Sequence, residues 1–595
     1  MPDMDRRKFL AGTAAAATTA AVATSRAGAV VKKVSVSSAA AADPRFAGAR
    51  HAAVLGGGCG GLSAAHELIE RGFTVDIYER YPVAGGKCRS IPSPGTGSGG
   101  RADLPGEHGF RFFPGYYRHV IDTMARIPYG SNPNGVKDNL TFGETARFSR
   151  KDALDVPFPY KKLLTINPIT DLPQALIGLL GVIPGLQLNE LLYFATRLTE
   201  FVTSCDARRD NQYDKLSWWD FVQAERFSPL YQNLLTRSLT RNLVAAQAEQ
   251  ASTRTIGLQA TRILVGNILF SMYDEASRLL NAPTTEAWID PWLTYLKGKG
   301  VRWFPDTAVE GLELSDGAVS GVRVRGGGQA TTVTADVYVL AIPVEGARQL
   351  LGAPFRALDP RLTALDGLFP DWMTGVQFFL SRSLPIAKGH VTYVDSPWAL
   401  TSISQGQFWN RDLSTYGNGT VRDVVSVDVS NWGAPGVLFG KTARDCTREE
   451  IFAEVWEQMK ESLNEDGIIL RDSDVVDRFL DPAIKFGPDG TPVDNAEPLL
   501  INTVDSWAKR PDAVTKIPNL VLASDYVKTN TDLATMEGAN EAARRAVNGV
   551  LDVTGWSGTR ARIWTIPEPP LFAFARAEDG FRYALGLPHK LSDRR

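Results

Sequence analysis

A short apolar run followed at once by glycines is the clearest pattern near the start of the chain. Ala52–Leu55 has the length and composition of a buried strand. Apolar residues then recur at the spacing of one helix face over 62–69 and alternate as in a strand over 73–78. Gly72 lies between these two patterns and is suited to end a helix. The pattern therefore predicts a strand, a helix and a second strand.

Similar patterns recur in the rest of the chain. Residues 151–290 are predicted to be largely helical, whereas Thr307–Leu314 and Val319–Arg325 alternate as strands. Asp336–Ile342 is a nearly continuous apolar strand, and Leu520–Ala523 is a further buried strand. The helix predicted after it has apolar residues on one face at Met536, Ala539, Ala543, Val547 and Val550. Because these units are far apart, an α/β domain built from them must be discontinuous.

Three glycines between the first strand and helix stand in G-x-G-x-x-G spacing: Gly56, Gly58 and Gly61. Glycines so placed allow a tight turn, close approach of a pyrophosphate and close packing of helix on strand. Glu79 ends the second strand, where a carboxylate accepts hydrogen bonds from ribose hydroxyls. The combination predicts dinucleotide binding rather than an unliganded glycine-rich turn.

A second possible phosphate-binding segment follows the second strand. Gly86 is the latter of two adjacent glycines, and Arg80, Lys87 and Arg89 supply cations nearby. Near the C-terminus, Asp525 ends a strand and precedes a helix whose N-terminus faces a ligand by construction. Both segments are therefore expected at the same cofactor.

Composition excludes several other functions. With 595 residues the chain is long enough for two or more domains, and a formal net charge of −2 gives no case for nucleic-acid binding. The four cysteines form neither a C-x-x-C pair nor a disulfide framework. The six histidines show no metal-ligand spacing, so no metal site is predicted.

The N-terminus resembles a twin-arginine export signal. The run Arg6–Leu10 contains the arginine pair, Ala11–Ala23 is weakly apolar, and Ala27–Ala29 offers an A-x-A cleavage site. The alternative is a disordered, alanine-rich leader with a chance arginine pair. Export is favoured, and it would involve the twin-arginine machinery that carries folded proteins.

Three segments together carry a resemblance to a known family. Gly56–Glu79, Gly85–Ser90 and Asp525–Ala539 resemble the FAD-dependent amine oxidase/phytoene desaturase superfamily. Glu107–Pro114 and Tyr526–Ala543 look most like its carotenoid desaturase and hydroxysqualene dehydroxylase branch. The resemblance implies a discontinuous Rossmann-like FAD-binding domain and a mixed α+β substrate domain.

The family's cofactor residues carry over by position. The resemblance implies that FAD contacts Gly56, Gly58, Gly61, Glu79, Arg80, Gly86, Lys87, Arg89, Val309, Asp525, Met536, Glu537 and Ala539. Ser524 and Lys87 depart from the family's usual Gly and Arg. With no cysteine between 500 and 555, the C-terminal cysteinyl-flavin bond of some amine oxidases is excluded, and FAD is expected to be non-covalent.

Catalytic candidates lie in a segment of glycines and aromatic residues that should run near the flavin ring. His108 is either a catalytic group or a structural hydrogen-bonding residue, and Arg111 either acts in catalysis or binds the cofactor. Trp398 and Trp409 could line a substrate cavity, although packing in the core is favoured.

The same reasoning divides the chain into segments. They are a signal peptide (1–29), a linker (30–50), the FAD-binding domain in three parts (51–150, 288–350 and 501–555), a helical substrate or cap domain (151–287), a substrate domain of sheet and helices (351–500) and a C-terminal tail (556–595). The uncharged run Leu172–Leu188 is too short and too proline-interrupted for a membrane span. It is expected to be a buried helix, with peripheral membrane contact as the alternative.

Three functions remain open at this point. The first is a desaturase or dehydrogenase that moves a hydride from an apolar, isoprenoid-like substrate to FAD, with O2 or a quinone as the final acceptor. The second is an exported amine or amino-acid oxidase that releases peroxide. The third is a non-redox, flavin-dependent isomerase. The branch-level motifs favour the first.

Overall fold

The computed structural model describes residues 43–592 except 154, 160–171, 182, 274–276 and 466. The predicted export signal and most of the predicted linker lie outside the described residues. Within them, two large sheets and a helical region surround one cavity.

A five-stranded parallel sheet unites segments that are distant in the sequence. In spatial order its strands are Arg302–Phe304, Thr74–Tyr78, His51–Leu55, Val337–Leu340 and Leu520–Leu522. Strands buried on both faces are expected to be continuously apolar, as Val337–Leu340 and Leu520–Leu522 are, and as His51–Leu55 is after its first residue. The helices Cys59–Ile69 and Met536–Val553 pack against each other beside this sheet. The predicted discontinuous α/β fold is confirmed.

An antiparallel sheet within residues 288–350 follows the predicted alternation of its first two strands. Its strands are Thr307–Ser315, Ala318–Gly326 and Gln329–Val333. Asp316 and Gly317 turn the first hairpin with φ of 50° and 72°, as a two-residue turn of this kind requires.

A seven-stranded sheet forms the second layer. Its spatial order is Val475–Leu480, Thr374–Leu380, Asp423–Val429, Thr401–Ser404, His390–Tyr393, Thr145–Ser149 and Val156–Pro159. The pairs are antiparallel except that 390–393 runs parallel to 145–149. Strand 145–149, expected in the first FAD segment, thus pairs with strands of the expected substrate domain.

The helical region has its own apolar core, as predicted. Its α-helices are Leu172–Leu180, Leu188–Val202, Asp206–Arg208, Trp218–Phe221, Arg241–Val244 and Thr253–Ala260. Leu172, Leu176 and Leu179 are buried in this core, so the buried-helix interpretation is confirmed for the first helix. Among the described residues, no helix has both the length and the apolar character that a membrane span needs.

The C-terminal segment is more ordered than its sequence indicates. Ala573–Ala584 is a helix, and its buried Asp579 receives hydrogen bonds of 2.9 and 3.0 Å from Arg208. Among the residues of this helix only Asp579 is buried, whereas Phe574 and Phe581 are exposed, so the buried ion pair holds the helix in place.

Further α-helices and strands connect these layers. The other α-helices are His119–Arg126, Asp290–Gly298, Val344–Leu350, Ala353–Leu358, Arg448–Leu463 and Ser506–Lys509. The other strands are Ser90–Ser93, Leu104–Glu107, Phe113–Pro114, Leu140–Phe142, Ser277–Leu280, Phe369–Asp371, Ile484–Phe486, Pro492–Asn495 and Leu499–Ile501.

Candidate functional site

One cavity of about 900 Å³ brings together most of the residues singled out in the sequence. It runs from the glycine loop of the parallel sheet to one face of the seven-stranded sheet. The predicted residues that line it are Gly56, Gly58, Glu79, Arg80, Gly86, Lys87, His108, Arg111, Val309, Asp525, Met536 and Ala539. Gly61, Arg89 and Glu537 do not line it.

The glycine loop leaves room for a ligand at one position and none at another. A Cβ on Gly61 would lie 1.8 Å from the carbonyl oxygen of Gly56, so this glycine serves the packing of helix on strand. A Cβ on Gly58 would meet no protein atom closer than the Cα of Gly86, at 3.8 Å. Backbone at Gly58 therefore borders open space, which fits the pyrophosphate of a dinucleotide.

Glu79 is held at the end of its strand by the loop itself. Its carboxylate accepts hydrogen bonds from the backbone N–H of Gly57 at 2.7 Å and of Tyr81 at 2.9 Å. Burial raises the pKa of Glu79, and these backbone donors oppose that effect. Each oxygen keeps a lone pair, so the side chain can still accept a ribose hydroxyl from the cavity.

Arg89 does not line the cavity, and its predicted contact with the cofactor stays a prediction. Its guanidinium donates to the carbonyl of Gly86 at 2.7 Å and to the buried carboxylate of Glu497 at 3.0 Å. The side chain therefore ties the second glycine loop to residue 497, and its charge is balanced there. Lys87 does line the cavity and donates a hydrogen bond to the carbonyl of Pro498.

The side chain of Glu537 does not line the cavity either, and its predicted place near the flavin stays a prediction. Its carboxylate accepts the backbone N–H groups of Arg118, His119 and Val120 at 2.7–2.9 Å, and it pairs with the ring of His119. These are the unpaired donors at the start of helix His119–Arg126. Burial opposes ionisation of Glu537, but His119 and the backbone donors hold its pKa below the usual value.

His108 combines a fixed nitrogen with an available one. Its Nδ1 is hydrogen-bonded to the buried carboxylate of Asp481, which also accepts the N–H of Ala483 at 2.8 Å. Burial opposes ionisation of Asp481, yet the charge and hydrogen bond of His108 lower its pKa. Nε2 of His108 is buried and has no hydrogen-bond partner within the described part of the chain. A carboxylate that fixes one nitrogen and leaves the other without a partner is the arrangement of a general base.

Arg111 lines the cavity close to an acidic group that the sequence analysis missed. Its Nη2 donates to the carbonyl of Lys87 at 2.5 Å. Burial raises the pKa of Asp428 to about 7, and the charge of Arg111 opposes that shift. Asp428 belongs to a strand, DVVSVDV, in which every residue is buried. In the sequence, the polar residues Ser426 and Asp428 alternate with valines, and this pattern could have indicated that a polar face of the strand lies inside the protein.

Aromatic and aliphatic side chains form much of the cavity wall beyond the glycine loops. They are Phe110, Phe112, Pro114, Tyr116, Tyr117, Val244, Ile263 and Met373, interrupted on the helical side by Asn242 and Gln259. Trp398 and Trp409 are buried elsewhere, which agrees with the favoured packing interpretation. Two further residues missed in the sequence, Cys59 and Cys88, line the cavity beside the glycine loops.

Comparison with known proteins places the chain among flavoproteins. It is 24% identical over 341 residues to carotenoid phi-ring synthase of Chlorobaculum tepidum, a match that covers 53% of this chain and 47% of that protein. It is 22% identical over 359 residues to 15-cis-phytoene desaturase of Synechococcus elongatus, covering 58% and 68%. The chain thus spans about half the length of the first of these relatives.

Solved structures agree on the fold. Cyclohexylamine oxidase from Brevibacterium oxydans superposes with a TM-score of 0.54 at 12% identity, covering 85% of this chain and 99% of that one. The family model described as flavin containing amine oxidoreductase matches residues 59–551. The chain therefore belongs to the flavin containing amine oxidoreductase family, and its cofactor is FAD.

Proposed function

We propose that this protein is an FAD-dependent oxidoreductase that removes a hydride from a C–H bond of an apolar, isoprenoid-like substrate. The observation that carries the proposal is the continuity of the cavity. The same space that begins at Gly58 and Gly86 extends between aromatic and aliphatic walls at Phe110, Phe112 and Ile263. Such walls exclude water and favour an apolar substrate. FAD, when bound, supplies the two-electron acceptor.

The residues of this chain supply a second requirement of desaturation, a proton acceptor. Forming a double bond removes one hydride and one proton from neighbouring carbons. The unpartnered Nε2 of His108 is suited to accept that proton, because Asp481 stabilises the imidazolium that results. His108 is thus the proposed catalytic base, and Asp481 is its positioning residue.

The relatives support an isoprenoid substrate for this chain but do not identify which one. Their names refer to carotenoid and phytoene chemistry, and the finer resemblance of Glu107–Pro114 lies with the carotenoid desaturase and hydroxysqualene dehydroxylase branch. We propose O2 or a quinone as the final electron acceptor. The support is that the one other G-x-G-x-x-G spacing in the sequence, within Gly95–Gly100, lies in a loop between strands Ser90–Ser93 and Leu104–Glu107 and not between a strand and a helix, as a nicotinamide site of this kind requires.

One experiment separates the candidate functions. Holoprotein is reduced anaerobically with a panel of isoprenoids and amines, and is then mixed rapidly with O2 or a soluble quinone. Bleaching of the flavin by an isoprenoid and faster reoxidation by the quinone are expected. Bleaching only by amines, with peroxide released on air, would favour an amine oxidase instead. Conversion of a substrate without any flavin reduction would indicate an isomerase.

The amine oxidase alternative has one structural observation in its favour. Asp428 presents a buried carboxyl group to the aromatic part of the cavity, where it could pair with a substrate ammonium. Arg111 opposes this, because its cation already acts on the same carboxyl group. The desaturase or dehydrogenase assignment is therefore preferred.

We also propose that the protein is exported by the twin-arginine machinery and makes peripheral contact with membrane lipid. The support for export is the run Arg6–Leu10 followed by an alanine-rich segment and an A-x-A site. The support for lipid contact is the proposed apolar substrate. Replacement of Arg6 and Arg7 by lysine should retain the protein in the cytoplasm, as fractionation of expressing cells would reveal. Equal export of both forms would contradict the proposal.

A further inference from the structure

The seven-stranded sheet has two chemically different faces. Val425, Val427 and Val429 pack against the apolar side of helix Arg448–Leu463. Residues between them point to the opposite face, because side chains alternate along a strand. Asp428 on that face lines the cavity. The sheet thus presents a polar surface to a space whose other walls are largely apolar.

Three residues from adjacent strands make this surface, here called the polar floor: Asp428, Thr401 and His390. Thr401 is the direct cross-strand partner of Asp428, so their side chains lie on the same face. His390 pairs with Ile403, two residues from Thr401, and therefore shares the face as well. All three line the cavity. The polar floor thus draws one residue from each of three neighbouring strands, with Ile403 beside His390.

The carboxyl group of Asp428 is built to receive a ligand. The residue is 6% exposed, and its Oδ1 has no hydrogen-bond partner among the described residues. The backbone facing it is Gly109, where a Cβ would lie 2.8 Å from Oδ1. Glycine at position 109 lets the backbone approach the carboxyl group closely, and the backbone of Phe110 also acts on this group as a hydrogen-bond donor. Asp428 nevertheless lines the cavity, where its remaining hydrogen-bonding capacity faces a ligand.

His390 adds a second unsatisfied group to the floor. Its Nε2 is buried and has no partner within the described ranges. The rings of Phe110 and Phe112 lie 5.2 and 6.0 Å from its ring, measured between centroids. Burial lowers the pKa of His390 to about 4, so the ring is neutral near pH 7. Buried polar atoms are rarely left unpaired, and two on one floor indicate a polar ligand group.

We infer that the polar floor binds a hydroxyl or carbonyl oxygen of an otherwise apolar substrate, so that the substrate is an oxygenated isoprenoid rather than a plain hydrocarbon. This rests on the proposed function and refines its substrate class. A neutral carboxyl at Asp428 can donate to such an oxygen and accept from a hydroxyl. An ammonium would need the ionised carboxylate, and burial raises the pKa of Asp428 to about 7, so that a large share of the carboxyl groups is neutral near pH 7.

The test compares binding of three probes to the FAD-loaded protein: geranylgeraniol, its hydrocarbon analogue without the hydroxyl, and geranylgeranylamine. Binding is followed by perturbation of the flavin spectrum in detergent, separately from any flavin reduction. The alcohol is expected to bind at least tenfold more tightly than the hydrocarbon. In Asp428→Leu this ratio should fall to about one while hydrocarbon affinity is kept. Asp428→Asn, which can still donate, should retain most of the preference.

Control variants show whether a change in the ratio of alcohol to hydrocarbon affinity is specific to the polar floor. Asp494→Leu replaces an exposed carboxylate on another strand and should leave the ratio unchanged. If Asp428→Leu does not fold, Thr401→Val removes a floor hydroxyl at nearly constant shape and should lower the ratio several-fold. FAD content and melting temperature are measured for every variant.

Several outcomes would overturn the inference. They are equal binding of alcohol and hydrocarbon, preference for the amine, binding of none of the probes, or an alcohol preference that survives Asp428→Leu. Loss of FAD by Asp428→Leu, measured as FAD content, would assign the carboxyl group to the flavin and would also overturn the inference. If the alcohol binds with the expected preference but no isoprenoid reduces the flavin, the proposed function is wrong, whereas the inference that the polar floor binds an oxygenated isoprenoid is retained.

Discussion

Alanine substitutions at two glycines of the first loop should separate cofactor binding from folding. In Gly58→Ala the new Cβ would lie 3.8 Å from the nearest protein atom, so the flavin-free protein can accept it. Gly58 is also the N-cap of helix Cys59–Ile69, and alanine is a poorer N-cap than glycine. We therefore expect the unfolding free energy to fall by about 1 kcal/mol. The methyl group would occupy space proposed for the pyrophosphate. We expect FAD affinity to fall by about tenfold to a hundredfold, or about 1.4–2.8 kcal/mol.

Gly61→Ala is the matched contrast. Here the Cβ would lie 1.8 Å from a backbone oxygen that cannot rotate away, so helix and strand must separate. Overpacking of this kind costs about 1–3 kcal/mol, and more where backbone has to move. The expected result is a lower melting temperature of the flavin-free protein, with FAD affinity reduced only as a consequence.

The assay is fluorescence titration of flavin-free protein with FAD, together with thermal unfolding followed by circular dichroism. Wild-type FAD affinity in Gly58→Ala would refute the placement of the pyrophosphate beside this glycine. Unchanged thermal stability in Gly61→Ala would refute the packing argument. Both outcomes are independent of the substrate.

Four further predictions use other parts of the site. His108→Gln should lower the rate of flavin reduction by substrate about 10²- to 10⁴-fold with little effect on FAD content; a rate within tenfold of wild type in anaerobic stopped flow would exclude a proton-accepting role. Affinity for geranylgeraniol should decrease as pH rises through about 7, because the neutral Asp428 carboxyl is the donor, whereas Asp428→Asn should show a flat titration between pH 5 and pH 9. Contact with the thiol of Cys59 lowers the pKa of Cys88, so iodoacetamide should label Cys88 faster than Cys446 in flavin-free protein, and FAD should protect it; peptide mass spectrometry would detect the contrary order. Glu537→Gln should lower the free energy of unfolding by about 3 kcal/mol in urea titration, since a buried carboxylate loses part of its hydrogen bonding, and an effect below about 1 kcal/mol would contradict its capping role.

The local features of this protein could be predicted from its sequence. The apolar run before Gly56, the helix after it and the hairpin at Asp316 and Gly317 depend on neighbouring residues, and each was observed as predicted. Backbone conformation and side-chain periodicity are set over a few residues, so the strands, the helices and the glycine loop follow from short-range rules. The cofactor class follows from the same stretch.

Pairing between distant residues was decided only by the tertiary structure. Arg89 and Glu537 sit in cofactor motifs, but Glu497 and the start of helix His119–Arg126 engage their charges. Asp428 lines the cavity only because the seven-stranded sheet places its strand there. The partners of these groups lie hundreds of residues away in the chain, and which groups meet depends on how the sheets are assembled. The sequence by itself therefore determined the elements and the cofactor, whereas the fold decided which charged side chains face the cavity and which are neutralised elsewhere.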